Sequence, residues 1–541
     1  LSKSKFSVFC LLISLVLVLA ACTTGEEASN ETSDGGSEEK VLNLNNSSEP
    51  GSLHPGKAQG THDSWILHHI FEGLTKKDED GKILPGVAKE WTTSDDGLVW
   101  TFTLKEGLKW SNGDPIKASD FEYAWKHVLN PDTASDYAYQ LYYLKGGEAY
   151  NSGKGKAEDV GVKAADDLTL EVTLEQATPY FLDLTSFYTY YPINQKVQED
   201  NKDWYTEADS FVSNGAFKLT EWKHKESIKL EKNDNYYDKD KINLDVVNFT
   251  IQENENTAWQ MYQNDELDLA YPLPADVQGQ LVNADDPEFN NGPELAVYYY
   301  NFNTEKKPFN NSKVRKALSM AIDRKAITDN VAQGGQKPAY GIVPPGILDV
   351  SGDFQENTGD LFSENVDEAK KLLDEGLKEE GMDKFPKMSI LYNTLDSHKL
   401  IAEAVQEMWR KNLGIEVTLE NVEMQVKLDR EKAGDYDISR AGWVGDYVDP
   451  MTFMLWETGG AYNDPNWSNK DYDKLVKEAQ TTMDTEKRMS AMHEAEKILM
   501  DEMPVMPIYF YTKPYMVKKK VTGVYAPINE YPVFQYADIE E

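Results

Sequence analysis

The chain has 541 residues, more than a single hydrophobic core usually organises, so two or more lobes are expected. Its 93 acidic residues against 55 basic ones give a formal net charge of −38, a field that repels phosphate backbones and argues against a nucleic-acid partner. With 40% hydrophobic and 11% aromatic residues the chain is globular, and with only two cysteines, Cys10 and Cys22, its body excludes a disulfide framework and thiol chemistry.

Residues 1–21 read as a secretory signal: Lys3 and Lys5, an apolar run from Phe6 to Leu19, then the small residues Ala20 and Ala21. The run is shorter than the ~18–20 residues that span a bilayer comfortably. Leu19-Ala20-Ala21-Cys22 resembles a bacterial lipobox, which implies that Cys22 becomes the first mature residue and carries the lipid. Each buried acyl CH₂ would contribute about 0.8 kcal/mol to membrane attachment. Residues 22–40 are acidic, contain Gly35-Gly36 and several Ser and Thr, and read as a flexible tether, with folding expected from about Val41. His54, His62, His68 and His69 crowd together next. Imidazole is a common metal ligand, but loop and helix-surface positions are the expectation, and no metal site is assigned.

Further along, Leu98, Trp100, Phe102 and Leu104 alternate as one face of a strand, and Leu168, Leu170, Val172 and Leu174 repeat the pattern. Between them Ser119-Asp120-Phe121-Glu122 reads as a capping box, with Ser119 as N-cap, for a helix carrying Phe121, Trp125, Val128 and Leu129 and ending at Asn130-Pro131. Phe217 and Leu219 with Ile228 and Leu230 read as paired strands. Leu400, Ile401, Ala404, Val405, Met408 and Trp409 form an apolar helical stripe closed by Gly414, followed by a strand through Ile415, Val417 and Leu419. Met489, Met492, Ile498 and Leu499 mark a last helix stopped by Pro504. The fold class is therefore mixed α/β in at least two lobes.

Enzyme signatures are missing. There is no Gly-x-Ser-x-Gly elbow, His493-Glu494 lacks the second histidine of a zinc protease, and Gly153-Lys154-Gly155-Lys156 lacks the spacing of a phosphate loop. The balance favours a binding protein that needs no cofactor over an extracellular peptidase.

Phe71-Glu72-Gly73-Leu74, the run Gly81 to Trp91, Asp96 to Lys105, Trp110-Ser111-Asn112-Gly113-Asp114-Pro115, and Ala118-Ser119-Asp120-Phe121 follow one another in order. This ordered set resembles the family 5 extracellular solute-binding proteins of ABC importers. Val212 to Leu219, Tyr298-Tyr299-Tyr300, Tyr392-Asn393-Thr394 and Arg440-Ala441-Gly442-Trp443 resemble its oligopeptide-binding branch. The resemblance implies a two-lobed, clam-shell, periplasmic-binding-protein-like α/β fold with an additional inserted domain. One lobe would comprise 41–71, 197–296 and 513–541, the inserted domain 72–196, and the other lobe 297–512.

It also implies a site. Asp446, in Trp443-Val444-Gly445-Asp446, matches the family's amine-binding aspartate, and Trp443 and Arg440 match residues of the same cleft. Arg440 and His398 match residues that hold a peptide carboxylate, with Asn393 in a matching motif; Tyr137 and Tyr511 match aromatics near the ligand; Gln59 and Thr61 stand where main-chain bonds are supplied. Glu431 stands where a close relative has arginine, with Arg430 one place away, which leaves peptide length open. The implied partners are short peptides, the transmembrane subunits of an ABC permease, and the membrane reached through Cys22. The implied setting is the outer face of a Gram-positive cell membrane, with the protein a monomer. Alternatives within the fold are a dipeptide, a signalling peptide or a metal chelate.

Overall fold

The structure is a computed structural model that describes residues 39–79 and 81–540. The signal-like segment, Cys22 and all of the tether before Glu39 lie outside the described residues.

Three larger sheets among the described residues organise the chain. The first has seven strands in the order Phe289–Asn290, Tyr515–Val517, Leu269–Ala270, Val41–Asn45, Val246–Thr250, Ser227–Lys232 and Phe217–Lys223. Val41–Asn45 lies at its centre, parallel to both neighbours, with Leu42 and Leu44 fully buried. Parallel pairing joins segments some two hundred positions apart, as when Val41 lies opposite Val246. The paired strands read from sequence are here, with Leu219 opposite Leu230.

The second sheet has six strands: Lys337–Pro338, Val505–Thr512, Pro293–Phe302, Ile438–Val444, Met388–Asn393 and Val417–Val422. The third is an antiparallel four-stranded sheet of Ala88–Thr93, Val99–Leu104, Thr169–Thr173 and Val162–Ala164. Its apolar face carries Phe102, Leu104, Leu170 and Val172, all buried as the period-two pattern requires.

The chain crosses from the seven-stranded to the six-stranded sheet between Asn290 and Pro293, and returns between Thr512 and Tyr515. The two links run side by side, the Lys513 N–H donating to the Gly292 carbonyl at 2.9 Å. Lys513 is buried, and its ammonium donates to the carbonyls of Pro527, at 2.6 Å, and of Glu530. Two short adjacent crossings are the arrangement in which a few backbone dihedrals can absorb a lobe rotation.

Three readings are corrected. The helix expected to start at Ser119 is Ala118–Leu129, capped at Lys117: the Asp120 carboxylate accepts from the Lys117 N–H at 2.9 Å, so the shorter acid closes the cap two residues early. Glu122 instead accepts from the Ala164 N–H at 2.8 Å and ties the helix to the four-stranded sheet. The stripe on the Asp396–Leu413 helix runs through His398, Ile401, Ala402, Val405 and Trp409, whereas Leu400 is 45% exposed. Gly414, at φ +67°, ends that helix in the left-handed conformation that glycine adopts without strain. Two of the clustered histidines are not surface residues. His54 and His69 are fully enclosed, and burial holds both near pKa 3. His69 Nδ1 lies 2.7 Å from the Trp65 carbonyl and its Nε2 accepts from the Phe534 N–H at 3.2 Å, which makes it a neutral bridge within the core.

Candidate ligand-binding site

A cavity of about 290 Å³ opens where the three sheets meet. Its wall draws on residues 46–68 and 271–278 beside the seven-stranded sheet, on Tyr137 and 186–188 from the segment around the four-stranded sheet, and on residues 393–464 of the six-stranded side. Asp446, Trp443, Arg440, His398, Asn393, Tyr137, Tyr511, Gln59 and Thr61 all line it.

The Ile438–Val444 strand positions the central groups. It pairs antiparallel with Pro293–Phe302, with Arg440 opposite Tyr300 and Val444 opposite Ala296. Beyond its end the Gly445 N–H donates to the Leu295 carbonyl at 2.7 Å. A Cβ on Gly445 would stand 2.8 Å from Leu295 Cδ2, so only glycine lets the chain pass this closely. The Asp446 N–H then donates to Thr452 Oγ1 at 3.0 Å, and the Asn529 side chain donates to the carbonyls of Gly445 and Asp446 at 3.1 and 3.3 Å. The Asp446 backbone is thus held from both sides of the cavity.

The Asp446 carboxylate accepts from Gln140 Nε2 at 2.5 Å and from the Tyr139 hydroxyl at 3.5 Å. No Lys, Arg or His lies within ion-pair distance of it among the described residues. Burial pushes its pKa well above the usual carboxylate range, opposed by those two hydrogen bonds and by the more distant Lys77. Lys77 is itself engaged by Asp183 at 2.7 Å.

At the other end of the strand Arg440 donates to the Tyr511 hydroxyl at 2.7 Å and to Asn393 Oδ1 at 3.4 Å, and its guanidinium sits 4.6 Å from the Tyr298 ring centre. Its Nε is buried without a partner, and no carboxylate pairs with it among the described residues. His398 lies alongside with Nδ1 also unpartnered; burial and the nearby Arg440 charge hold it well below 6.5, as a neutral imidazole. The cavity therefore carries a carboxyl group without a cation at one pole and a cation without a carboxylate at the other. They stand six positions apart in sequence, a span of at most roughly 20 Å were the chain between them fully extended.

Between the poles Trp443 stacks on Tyr137, with centroids 6.4 Å apart, and meets Tyr462 edge-on at 4.9 Å. The Gln59 N–H is taken by Asp63 at 3.0 Å, so the main-chain group Gln59 can offer a ligand is its carbonyl. The Thr61 hydroxyl accepts from Tyr531 at 2.9 Å. Arg430 lies off the cavity wall, paired with Glu420 at 2.9 Å, and the second cation on this side is Lys427, which pairs with Glu431 at 2.6 Å. Gln140, Lys427, Thr452, Asp464 and Asn529 carried no signal in the sequence. Gln140 and Asn529 reach Asp446 from distant segments, Lys427 and Asp464 stand on the cavity wall, and Thr452 braces the Asp446 N–H from six positions away.

The sequence pattern of the bacterial extracellular solute-binding proteins, family 5 (middle), matches residues 82–464. The chain belongs to this family. This family 5 chain is 46% identical over 540 residues to the oligopeptide-binding protein OppA of Bacillus subtilis (strain 168), with 97% of each covered. It superposes on the substrate-binding domain of an oligopeptide ABC transporter from Bacillus anthracis str. Ames with a TM-score of 0.89 and 34% identity, over 93% of this chain and 99% of that one. Listeria monocytogenes OppA bound to peptide gives a TM-score of 0.88 at 33% identity, over 93% and 100%. The fold is thus the two-lobed, periplasmic-binding-protein-like α/β architecture, and the relatives are binding components of transport systems.

Proposed function

We propose that this family 5 protein captures short peptides between its lobes and hands them, chemically unchanged, to the transmembrane subunits of an ABC importer. The observation that carries the reading is the pair of unpaired groups at the two ends of one cavity, the Asp446 carboxyl without a cation and the Arg440 guanidinium without a carboxylate among the described residues. A peptide is a zwitterion with an ammonium at one end, a carboxylate at the other and repeating amides between. In this reading Asp446 meets the ammonium and Arg440, with the neutral His398 beside it, meets the carboxylate. Backbone groups on the cavity wall bond the amides, which cannot go unpaired in a closed site. A span of at most ~20 Å leaves room for a short extended peptide of no more than roughly six residues at ~3.3–3.6 Å each.

The remaining elements of the reading rest on the sequence. The Leu19-Ala20-Ala21-Cys22 tetrapeptide supports a lipid anchor on Cys22 at the outer face of the membrane of a Gram-positive cell. The body acts there as a monomer.

The test is calorimetric titration with a five-residue peptide, its N-acetylated form and the Asp446→Ala variant. Both changes are expected to weaken binding at least tenfold, each factor of ten being about 1.4 kcal/mol. Equal affinity for the free and the acetylated peptide would remove Asp446 from its role and the reading with it.

A further inference from the structure

Three cations line the cavity, and two of them are already engaged. Lys77 is held by Asp183, and Lys427 by Glu431 at 2.6 Å, with both side chains of the latter pair under 5% exposed. Glu431 is satisfied on its other oxygen by the Ser439 hydroxyl at 2.6 Å. Of the three, Arg440 alone is left without a carboxylate among the described residues. The acids outnumber these cations, and one of them belongs to neither pole. Asp464 is half-buried, lines the cavity, and has no hydrogen bond or ion pair on its carboxyl group among the described residues. Two positions away on the same wall the Tyr462 hydroxyl is buried with no partner.

We infer that the recess between the Met424–Lys432 helix and residues 462–464 is a side-chain pocket that selects a basic residue of the bound peptide, with Asp464 as its counter-ion. This inference deepens the peptide reading and rests on it.

The groups that face Asp464 decide the sign of the selection. Glu431 repels its charged form, with a smaller push from Asp136; Lys427 and Lys432 draw the other way, but Lys427 is committed to Glu431 and Lys432 to Asp136. Tyr299 and Tyr436 close the recess and feel both acids. Burial, reinforced by Glu431, raises the Asp464 carboxyl to about 8, so near neutrality it holds its proton. An uncharged ligand side chain leaves that arrangement as it is. A carboxylate side chain would have to join two acids with no free cation at hand. An ammonium or guanidinium makes the ionised form of Asp464 favourable: the O–H proton leaves for the buffer, and the carboxylate pairs with the ligand's cation away from bulk water.

The experiment is calorimetric titration of the whole protein with five-residue alanine–serine peptides in which each position in turn carries Ala, Lys or Glu. At one position Lys is expected to bind at least tenfold more tightly than Ala, and Glu at least tenfold more weakly. Asp464→Asn, isosteric and without a hydrogen bond to lose, is expected to bring Lys within threefold of Ala and leave the neutral peptide within threefold of its affinity for the unmodified protein. With the unmodified protein near pH 7, buffers of different ionisation enthalpy are expected to reveal proton release with the Lys peptide and not with the neutral one. A neutral peptide that binds with no Lys preference at any position, or a preference that survives Asp464→Asn, would overturn the pocket alone. If no peptide of the set bound, the peptide reading would fall and the pocket with it.

Discussion

Lys427 and Glu431 are one helical turn apart, with side chains 4% and 3% exposed and ammonium and carboxylate 2.6 Å from each other. Desolvating two such charges is costly, and the pair recovers that cost only while both members are present. Lys427→Met would leave the Glu431 carboxyl with Ser439 as its remaining partner in a nearly dry wall, near the unpaired acid Asp464. The expected loss is roughly 3–5 kcal/mol in urea unfolding, and Lys427→Met with Glu431→Leu should recover most of it. An unchanged unfolding midpoint for the single variant would mean that water reaches Glu431 freely. Asp446 and Arg440 differ from this pair: among the described residues neither has an ion-pair partner within the protein, which leaves both for a ligand to meet.

The element that joins those poles is the Ile438–Val444 strand with the Gly445 step beyond it. Gly445→Ala places a methyl group 2.8 Å from Leu295 Cδ2 and 3.1 Å from Leu295 Cγ, and Leu295 is fully buried and has little room to swing. The strain expected from such overpacking is about 1–3 kcal/mol. Relief by movement of the chain displaces Asp446, so peptide affinity should fall while Arg440 and its partners stay in place. Titration of Gly445→Ala with a peptide and its C-terminal amide separates the two poles: the amide's penalty should be retained, and full affinity for the free peptide would show that Asp446 had not moved. The elements themselves were legible in the sequence wherever a period was clean. Phe102, Leu104, Leu170 and Val172 alternate and are buried in one sheet, and Ile401, Val405 and Trp409 recur at helical spacing on one buried face. Local competition was not legible: Asp120 took a cap that the Ser119 pattern had promised, because its carboxylate reaches the Lys117 N–H. Nor were the site's partners legible. Gln140 meets Asp446 across 306 positions, a proximity created only by folding, whereas the cavity residues expected from the sequence came from resemblance to the family, some within short motifs such as Trp443 to Asp446 and others, such as Tyr137 and Tyr511, outside any motif.

At the scale of the whole molecule, folding gathers carboxyl groups into the zone between the sheets. Glu255 begins the Glu255–Gln263 helix and is 3% exposed; it accepts from the Ser397 hydroxyl at 2.9 Å, and Asn254 beside it donates to Asp396 at 2.8 Å, which ties the seven-stranded side to the six-stranded side. Burial, with Asp396 nearby, raises Glu255 to about 8; burial likewise raises Glu294 to about 7, with Lys513 opposing. These groups keep a proton in the folded chain that the unfolded chain, with carboxyl pKa values near ~4.3, has already released. Folded stability therefore falls as pH rises from about 4.3 to about 8, by at most about 1.4 kcal/mol per pH unit for each such carboxyl. The buried histidines act in the opposite sense. His54, at about 3, and His62, at about 4, are neutral in the fold, so their stability contribution is lost as pH falls below ~6.5. The two trends overlap in acid and separate above pH 6.5, where the histidines no longer titrate and the raised carboxyl groups still do. Urea unfolding should therefore show stability declining between pH 6.5 and 8, and Glu255→Gln should flatten the decline by about 1–2 kcal/mol. A stability that held level or rose over that interval would mean that Glu255 is ionised in the folded protein, and that the contact between the two sides of the cavity admits water.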